Sequence, residues 1–183
     1  MQNYNVTVLT APTVEPIDLE AAKYQLRVQH GKEDDYIRGL IKASRAYVEN
    51  FCNRYFSTQQ IALSVSETLP DKFLKLPFPD LVSIDSFYYY DDSGDEVLIP
   101  ATDYSFDSQR QIVTAVTAFP VATNGYKLNL TTGAPVEFEG AKIALKMYLA
   151  DLYNNRVSQV NMQIHENPAA NAHLFPYRVN MGV

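Results

Sequence analysis

Between Glu33 and Arg54 the residues Ile37, Leu40, Ile41, Ser44, Val48 and Phe51 follow one another at intervals of 3, 1, 3, 4 and 3, while Arg38, Lys42, Arg45 and Glu49 lie off that stripe. An α-helix brings such a set onto one face. The spacing predicts a helix of about six turns, with Glu33, Asp34 and Asp35 at the end where the helix dipole favours negative charge. Any fold must cover that stripe, and two other segments offer partners for it. Asp18 can cap a shorter helix over Leu19–Val28, with Glu20 in its first turn, Leu19, Ala22 and Leu26 on one side, and His30 and Gly31 ending it. From Glu137 to Arg156 the helical period returns, with Ala141, Ala144, Leu145, Tyr148, Leu149 and Leu152 on one face and Ile143, Met147 and Ala150 beside it. This last helix is apolar around more than half its circumference, which suggests a packing surface beyond its own domain.

Between the helices the period changes. Ile61, Leu63 and Val65 alternate with polar residues, Phe73, Leu74 and Leu76 precede a kinked Pro77-Phe78-Pro79, and Leu81–Tyr90 reads as a strand. Asp91-Asp92-Ser93-Gly94 then reads as a hairpin turn leading to a partner strand over Glu96–Ile99. Tyr104–Asp107, Gln111–Thr114 and Tyr126–Thr131 are further short strands. The expected class is α+β: a three-helix core carrying an inserted small antiparallel β module, with extended arms at both termini. The divisions are residues 1–56 for the arm and helical pair, 57–133 for the module, 134–156 for the final helix, and 157–183 for a tail. That tail is rich in Asn, Gln and Ala until Leu174-Phe175-Pro176-Tyr177-Arg178-Val179, an apolar aromatic cluster that reads as a docking segment.

Charge and composition narrow the function. Of 183 residues, 46% are hydrophobic and 20% charged, which suits a soluble globular chain of one domain, or one domain with an insert. Fifteen Lys and Arg against twenty-one Asp and Glu leave a formal charge of -6, which argues against wrapping nucleic acid with a basic surface. Eight acids and no base lie between Asp80 and Asp107, whereas the helical pair carries Lys23, Arg27, Lys32, Arg38, Lys42, Arg45 and Arg54. That pattern reads as a solvated face, a surface that repels DNA, or one that meets a basic partner. No run approaches the roughly 18 apolar residues of a membrane helix, and the first sixteen residues lack a secretion signal, so no membrane role and no export are expected.

The raw material for catalysis is thin. His165 and His173 are eight apart and miss the helix-face spacing of a zinc pair, so no metal is expected. Cys52 follows Phe51 late in the long helix and reads as a small packed side chain, in keeping with a reducing cytosol. The acids Asp91 to Glu96 lack the alternation of a calcium loop, nothing builds a cleft around Asp103 and Asp107, and no phosphate-binding or dinucleotide-binding glycine motif occurs. No enzyme activity and no cofactor are expected.

Taken in order, Pro16-Ile17-Asp18-Leu19-Glu20-Ala21-Ala22-Lys23, Leu26-Arg27-Val28, Glu33-Asp34-Asp35-Tyr36-Ile37, Leu40-Ile41 and Ala46-Tyr47-Val48-Glu49 with Arg54 resemble the N-terminal helical pair of tailed-phage head-tail connector proteins. The resemblance, to the longer type with a β insert, continues through Leu76-Pro77-Phe78-Pro79, Val82-Ser83, the Tyr88 to Gly94 strand and turn, Asp103-Tyr104 and Leu152-Tyr153-Asn154-Asn155-Arg156. Phe138 stands near where that family places a proline at the start of its last helix, with Pro135 about a turn earlier. The resemblance implies a structural part of the virion neck, assembled in the host cytoplasm as a homo-oligomeric ring of about twelve copies. The ring would sit beneath the portal protein, extend the DNA channel without binding DNA specifically, and offer a platform to tail-completion or tail proteins. In this reading Ile37, Leu40, Ile143, Met147 and Tyr153 serve ring contacts or the subunit's own core, and Leu174, Phe175, Pro176, Tyr177, Arg178 and Val179 meet the portal. A stopper or other tail-completion protein is the nearest alternative, and a cytosolic ligand-binding or enzymatic domain the more distant one.

Overall fold

The computed structural model describes residues 4–66, 69, 72–135, 137–155 and 167–179. They fall into two units, a helical one drawn from Val14–Phe56 and Pro135–Asn180 and a β one drawn from Met1–Thr13 and Ser57–Ala134.

The helical unit contains α1 (Leu19–Leu26), α2 (Asp34–Cys52), α3 (Glu139–Asn154) and α4 (Pro168–Leu174), followed by a 3-10 turn over Phe175–Tyr177. Asp18 caps α1, its carboxylate accepting the Ala21 N–H at 2.7 Å. The helix stops earlier than His30: Arg27 takes the left-handed conformation with φ 58° and closes it. Asn53 ends α2 in the same way, with φ 51°. The stripe read from the sequence faces inward, with Ile37, Ile41, Ser44, Val48 and Cys52 buried. Two apolar clusters follow from it. At one end Ile37 and Ile41 meet Ile17, Ala22 and Leu149; at the other Val48 and Cys52 meet Phe56, Ala144, Leu145, Ala170 and Leu174. Arg45 sits between two carboxylates, 2.7 Å from Glu15 and 2.7 Å from Glu49, and Glu49 also accepts the Phe56 N–H at 2.8 Å. Burial works against the Arg45 charge, but the two carboxylates outweigh it and raise its pKa. This network ties the chain entering α1 to the chain leaving α2.

The β unit holds a five-stranded sheet in the order β1 (Tyr4–Thr10), β2 (Gln60–Val65), β8 (Tyr126–Thr132), β4 (Leu81–Tyr90), β5 (Glu96–Leu98), and a three-stranded sheet in the order β3 (Phe73–Lys75), β7 (Ile112–Ala115), β6 (Tyr104–Asp107). Every pairing is antiparallel. Ile61, Leu63, Leu128, Leu130, Leu74 and Val113 are fully buried, and Phe87 of β4 joins the sheets through edge-on contacts with Tyr104 at 5.5 Å and Phe119 at 5.6 Å. Gly125 precedes β8 with φ 88°, and a Cβ there would lie 2.2 Å from the Val65 carbonyl oxygen, so only glycine fits.

Both termini are tied into the fold. The extended N-terminal arm is a strand: Val6 to Leu9 belong to β1, which is paired along β2 from Tyr4↔Val65 to Thr10↔Gln60. The C-terminal cluster, which the sequence presents with no helical or strand context, begins inside a short helix, and that reading is corrected. Asn167 caps α4, accepting the Ala170 N–H, and Pro168 occupies its first turn. Residues 156–166, including His165, lie outside the described residues.

Candidate assembly interfaces

The chemistry-bearing side chains come first. Asp91 closes the β4–β5 hairpin, its carboxylate accepting the Ser93 and Asp95 N–H groups at 2.9 and 3.0 Å, with Gly94 at φ 86° completing the turn. Asp107 does the same for Gln109 and Arg110. Burial pushes the Cys52 thiol up to about 11, against the lowering pull of Arg54 and Arg178, which leaves it a packed thiol rather than a nucleophile. Among the described residues no group of three His, Cys, Asp or Glu could hold a metal ion, and no helix is long and apolar enough to cross a membrane.

The residues expected at a ring contact divide by burial. Ile37 is fully enclosed by its own chain and presents no surface to another molecule; Leu40 packs beside it, partly buried. Tyr153 is half-buried, its hydroxyl donating to the Glu33 carboxylate and its ring 6.2 Å from Tyr36. Ile143 is 46% exposed and Met147 is partly buried one turn further along α3. The outward stripe of α3 is therefore Ile143, Met147 and Ala150, narrower than the apolar belt read from the sequence, because α1, α2 and α4 cover most of the rest; Leu152, expected on the covered face, is exposed near the end of the helix.

The C-terminal cluster divides in the same way. Leu174 is completely buried, and Tyr177 is half-buried, its ring edge-on to Phe56 and its hydroxyl accepting the Gly140 N–H at 3.3 Å. A Cβ at Gly140 would come within 3.1 Å of that ring, so the glycine admits the tyrosine. Val179 is stitched to the end of α2, its N–H donating to the Cys52 carbonyl at 2.8 Å and its carbonyl accepting from the Asn53 side chain at 3.0 Å. Phe175 remains 60% exposed, edge-on to Phe51 at 6.0 Å, and the Arg178 guanidinium lies over the same Phe51 ring, 5.3 Å from its centre. With exposed Pro176 they form a fixed aromatic and cationic patch. Phe51 is its missing member: the helical period assigned it to the core.

Charge is segregated between the units. The β unit carries ten acids and four bases, whereas the helical unit carries eleven of each, so the whole -6 resides with the sheets. Glu96 is paired with Lys127 at 2.7 Å, and the hydrogen bond from Lys127 holds its carboxyl below the usual range. Asp92 and Asp95 at the hairpin tip are exposed, and Asp92 accepts a hydrogen bond from the Thr123 hydroxyl at 2.9 Å.

Comparison with known proteins gives two kinds of likeness. Residues 16–104, from the approach to α1 as far as the start of β6, match the family described as phage gp6-like head-tail connector protein. No curated protein matches the chain. Among solved structures, a chain from the neck of an empty gene transfer agent particle, computed with C6 symmetry, superposes with a TM-score of 0.74 at 17% identity, covering 96% of both chains. A chain from the virion of the native gene transfer agent particle gives 0.73 at 17% identity, covering 96% of this chain and 95% of that one. A chain from the native neck computed with C12 symmetry gives 0.69 at 16% identity over 96% of each. At such identities the likeness is one of fold.

Proposed function

We propose that this chain, whose residues 16–104 carry the pattern of the phage gp6-like head-tail connectors, is itself a head-tail connector: a structural part of a phage-type virion neck that works as a ring. The observation that carries the reading is the family match, supported by a fold that follows neck chains over 96% of its length. In this reading about twelve copies form a head-to-tail ring beneath the portal and extend its DNA channel. The ring serves the tail side as a platform, and it performs no reaction.

The surfaces supply a division of labour. Phe175, Pro176 and Arg178, set on Phe51, are the portal-facing anchors, since aromatic and Arg side chains on a rigid base lose little entropy on docking. Leu174, Tyr177 and Val179 hold that patch to α2 and α3. Ile143 and Met147 give α3 its share of the ring contact, while Leu40 and Tyr153 pack on the cluster at the other end of the unit, where Ile37 is core. Repetition around the ring lets weak docking segments add up to a tight joint. Acidic β units keep DNA mobile, because a negative wall gains nothing from releasing phosphate counterions.

An internal tag on this protein, located by electron microscopy of assembled particles, tests the reading. Density at the junction of capsid and tail is expected. A tag found on the capsid shell, on the distal tail, or absent from particles overturns it.

A further inference from the structure

Four strands form the edges of the two sheets, and three of them are blunted. β5, β3 and β6 are three, three and four residues long and carry Glu96, Lys75 and Asp107. Short length and charge keep an edge from pairing with another chain. β1 has neither protection. It runs for seven residues without a charge, a proline or a glycine, and its register with β2 is regular from Tyr4 to Val8, with one irregularity before Thr10. Val8 stands opposite fully buried Ile61 and so lies on the core face of the sheet, yet it is 50% exposed. The sheet ends at β1, and among the described residues no further strand covers that side chain.

The same chain holds a segment suited to this edge. Val160, Met162 and Ile164 alternate with Asn161, Gln163 and His165, and residues 157–165 contain no Asp, Glu, Lys, Arg, Gly or Pro. Residues 156–166 lie outside the described ones, but the chain on either side of them is anchored to one place. The Asn155 N–H donates to the Asp151 carbonyl at 3.0 Å, and the Asn167 side chain donates to the Asp151 carboxylate at 2.8 Å. A strand over 160–164 would span about 16 Å. The residues before and after it reach about 13 and 7 Å, enough to return to that base with α3 and α4 intact.

We propose that residues 160–164 of one copy add as a strand to the free edge of β1 in the next copy of the ring, with Val160, Met162 and Ile164 covering Val6 and Val8. The proposal rests on the ring reading above and adds a joint to it. Length and period select this occupant: a five-residue apolar alternation meets the regular stretch from Tyr4 to Val8. Main-chain hydrogen bonds supply the affinity and alternate side chains the fit. Location agrees as well, since β1 belongs to the β unit and the segment is rooted in the helical one. Two different patches thus meet between successive copies, as a cyclic ring requires, whereas β1 pairing with another β1 would close a dimer.

The test uses full-length protein with one added cysteine per copy, Thr7→Cys in one preparation and Gln163→Cys in another; the native Cys52 is buried. An equal mixture is assembled in solution, or on portal-bearing heads where the free protein stays monomeric. It is then treated with a thiol crosslinker of about 8 Å, the reach of diagonal cross-strand neighbours. Mixed dimers are expected, with neither preparation alone giving dimers above the wild-type level. In a second arm, Met162→Asp with Ile164→Asp, checked for wild-type circular dichroism, is expected to need about tenfold more protein than wild type to assemble, because apolar pairs across the joint are lost. If that variant fails to fold, the crosslinking arm decides alone. Assembled rings without mixed dimers, dimers only between two Thr7→Cys copies, or a folded second variant that assembles like wild type overturn the proposal and leave the ring reading standing. A chain carrying both cysteines that crosslinks only within itself overturns it too. Wild-type protein that forms no ring in solution or on heads overturns the ring reading and this joint with it.

Discussion

Leu174 and Phe175 are neighbours in sequence with opposite fates, one fully buried against α2 and α3 and the other 60% exposed. Their roles separate by substitution. Leu174→Ala empties a site in the core and is expected to lower stability by about 2–5 kcal/mol in urea unfolding. Phe175→Ala combined with Arg178→Ala removes surface groups, so unfolding should shift by less than about 1 kcal/mol while binding to portal-bearing heads is lost. Truncation before Leu174 would confound the two, because it removes core and patch together. The sequence could not make this distinction. An apolar run of six residues without a period names a sticky segment but not the faces on which its members lie, and Phe51, which completes the patch, sits at a helix position whose period points to the interior.

Elements were legible where they carried their own signal. The bounds of β4 and β6 agree with the alternation and turn residues that flank them, and α2 falls within two residues of its expected limits because its stripe repeats over five turns. The end of α1 was not legible, since nothing in the composition of Arg27 announces a left-handed cap. Nor was the pairing of β1, whose identity as a strand is conferred by β2 fifty residues or more away. The short α4 does carry a local signal: Asn167 followed by Pro168 is a cap and a first-turn proline. Because β1 covers one edge of β2, deleting residues 1–10 should expose that edge. The expected result is a lower unfolding midpoint and concentration-dependent aggregation by light scattering, where loss of a free arm would leave both unchanged.

At the level of the molecule the charge sum read from the sequence proved less informative than its location. The helical unit is neutral by formal count and the β unit holds the full excess of acid. Double-stranded DNA should therefore bind with a Kd weaker than about 100 μM at physiological salt, measured by fluorescence anisotropy, the weak end of non-specific affinities. Binding at micromolar concentrations would contradict the acidic units as a repelling surface. The order of elements along the chain has a further consequence for synthesis. The sheet begins before α1 and finishes after α2, and the helical unit waits for α3 and α4, so each unit interrupts the other. A ribosome that stalls before β8 releases a polypeptide owning neither unit. Such a fragment has no finished surface with which to occupy a seat in the proposed ring, so incomplete translation would waste a copy without spoiling an assembly.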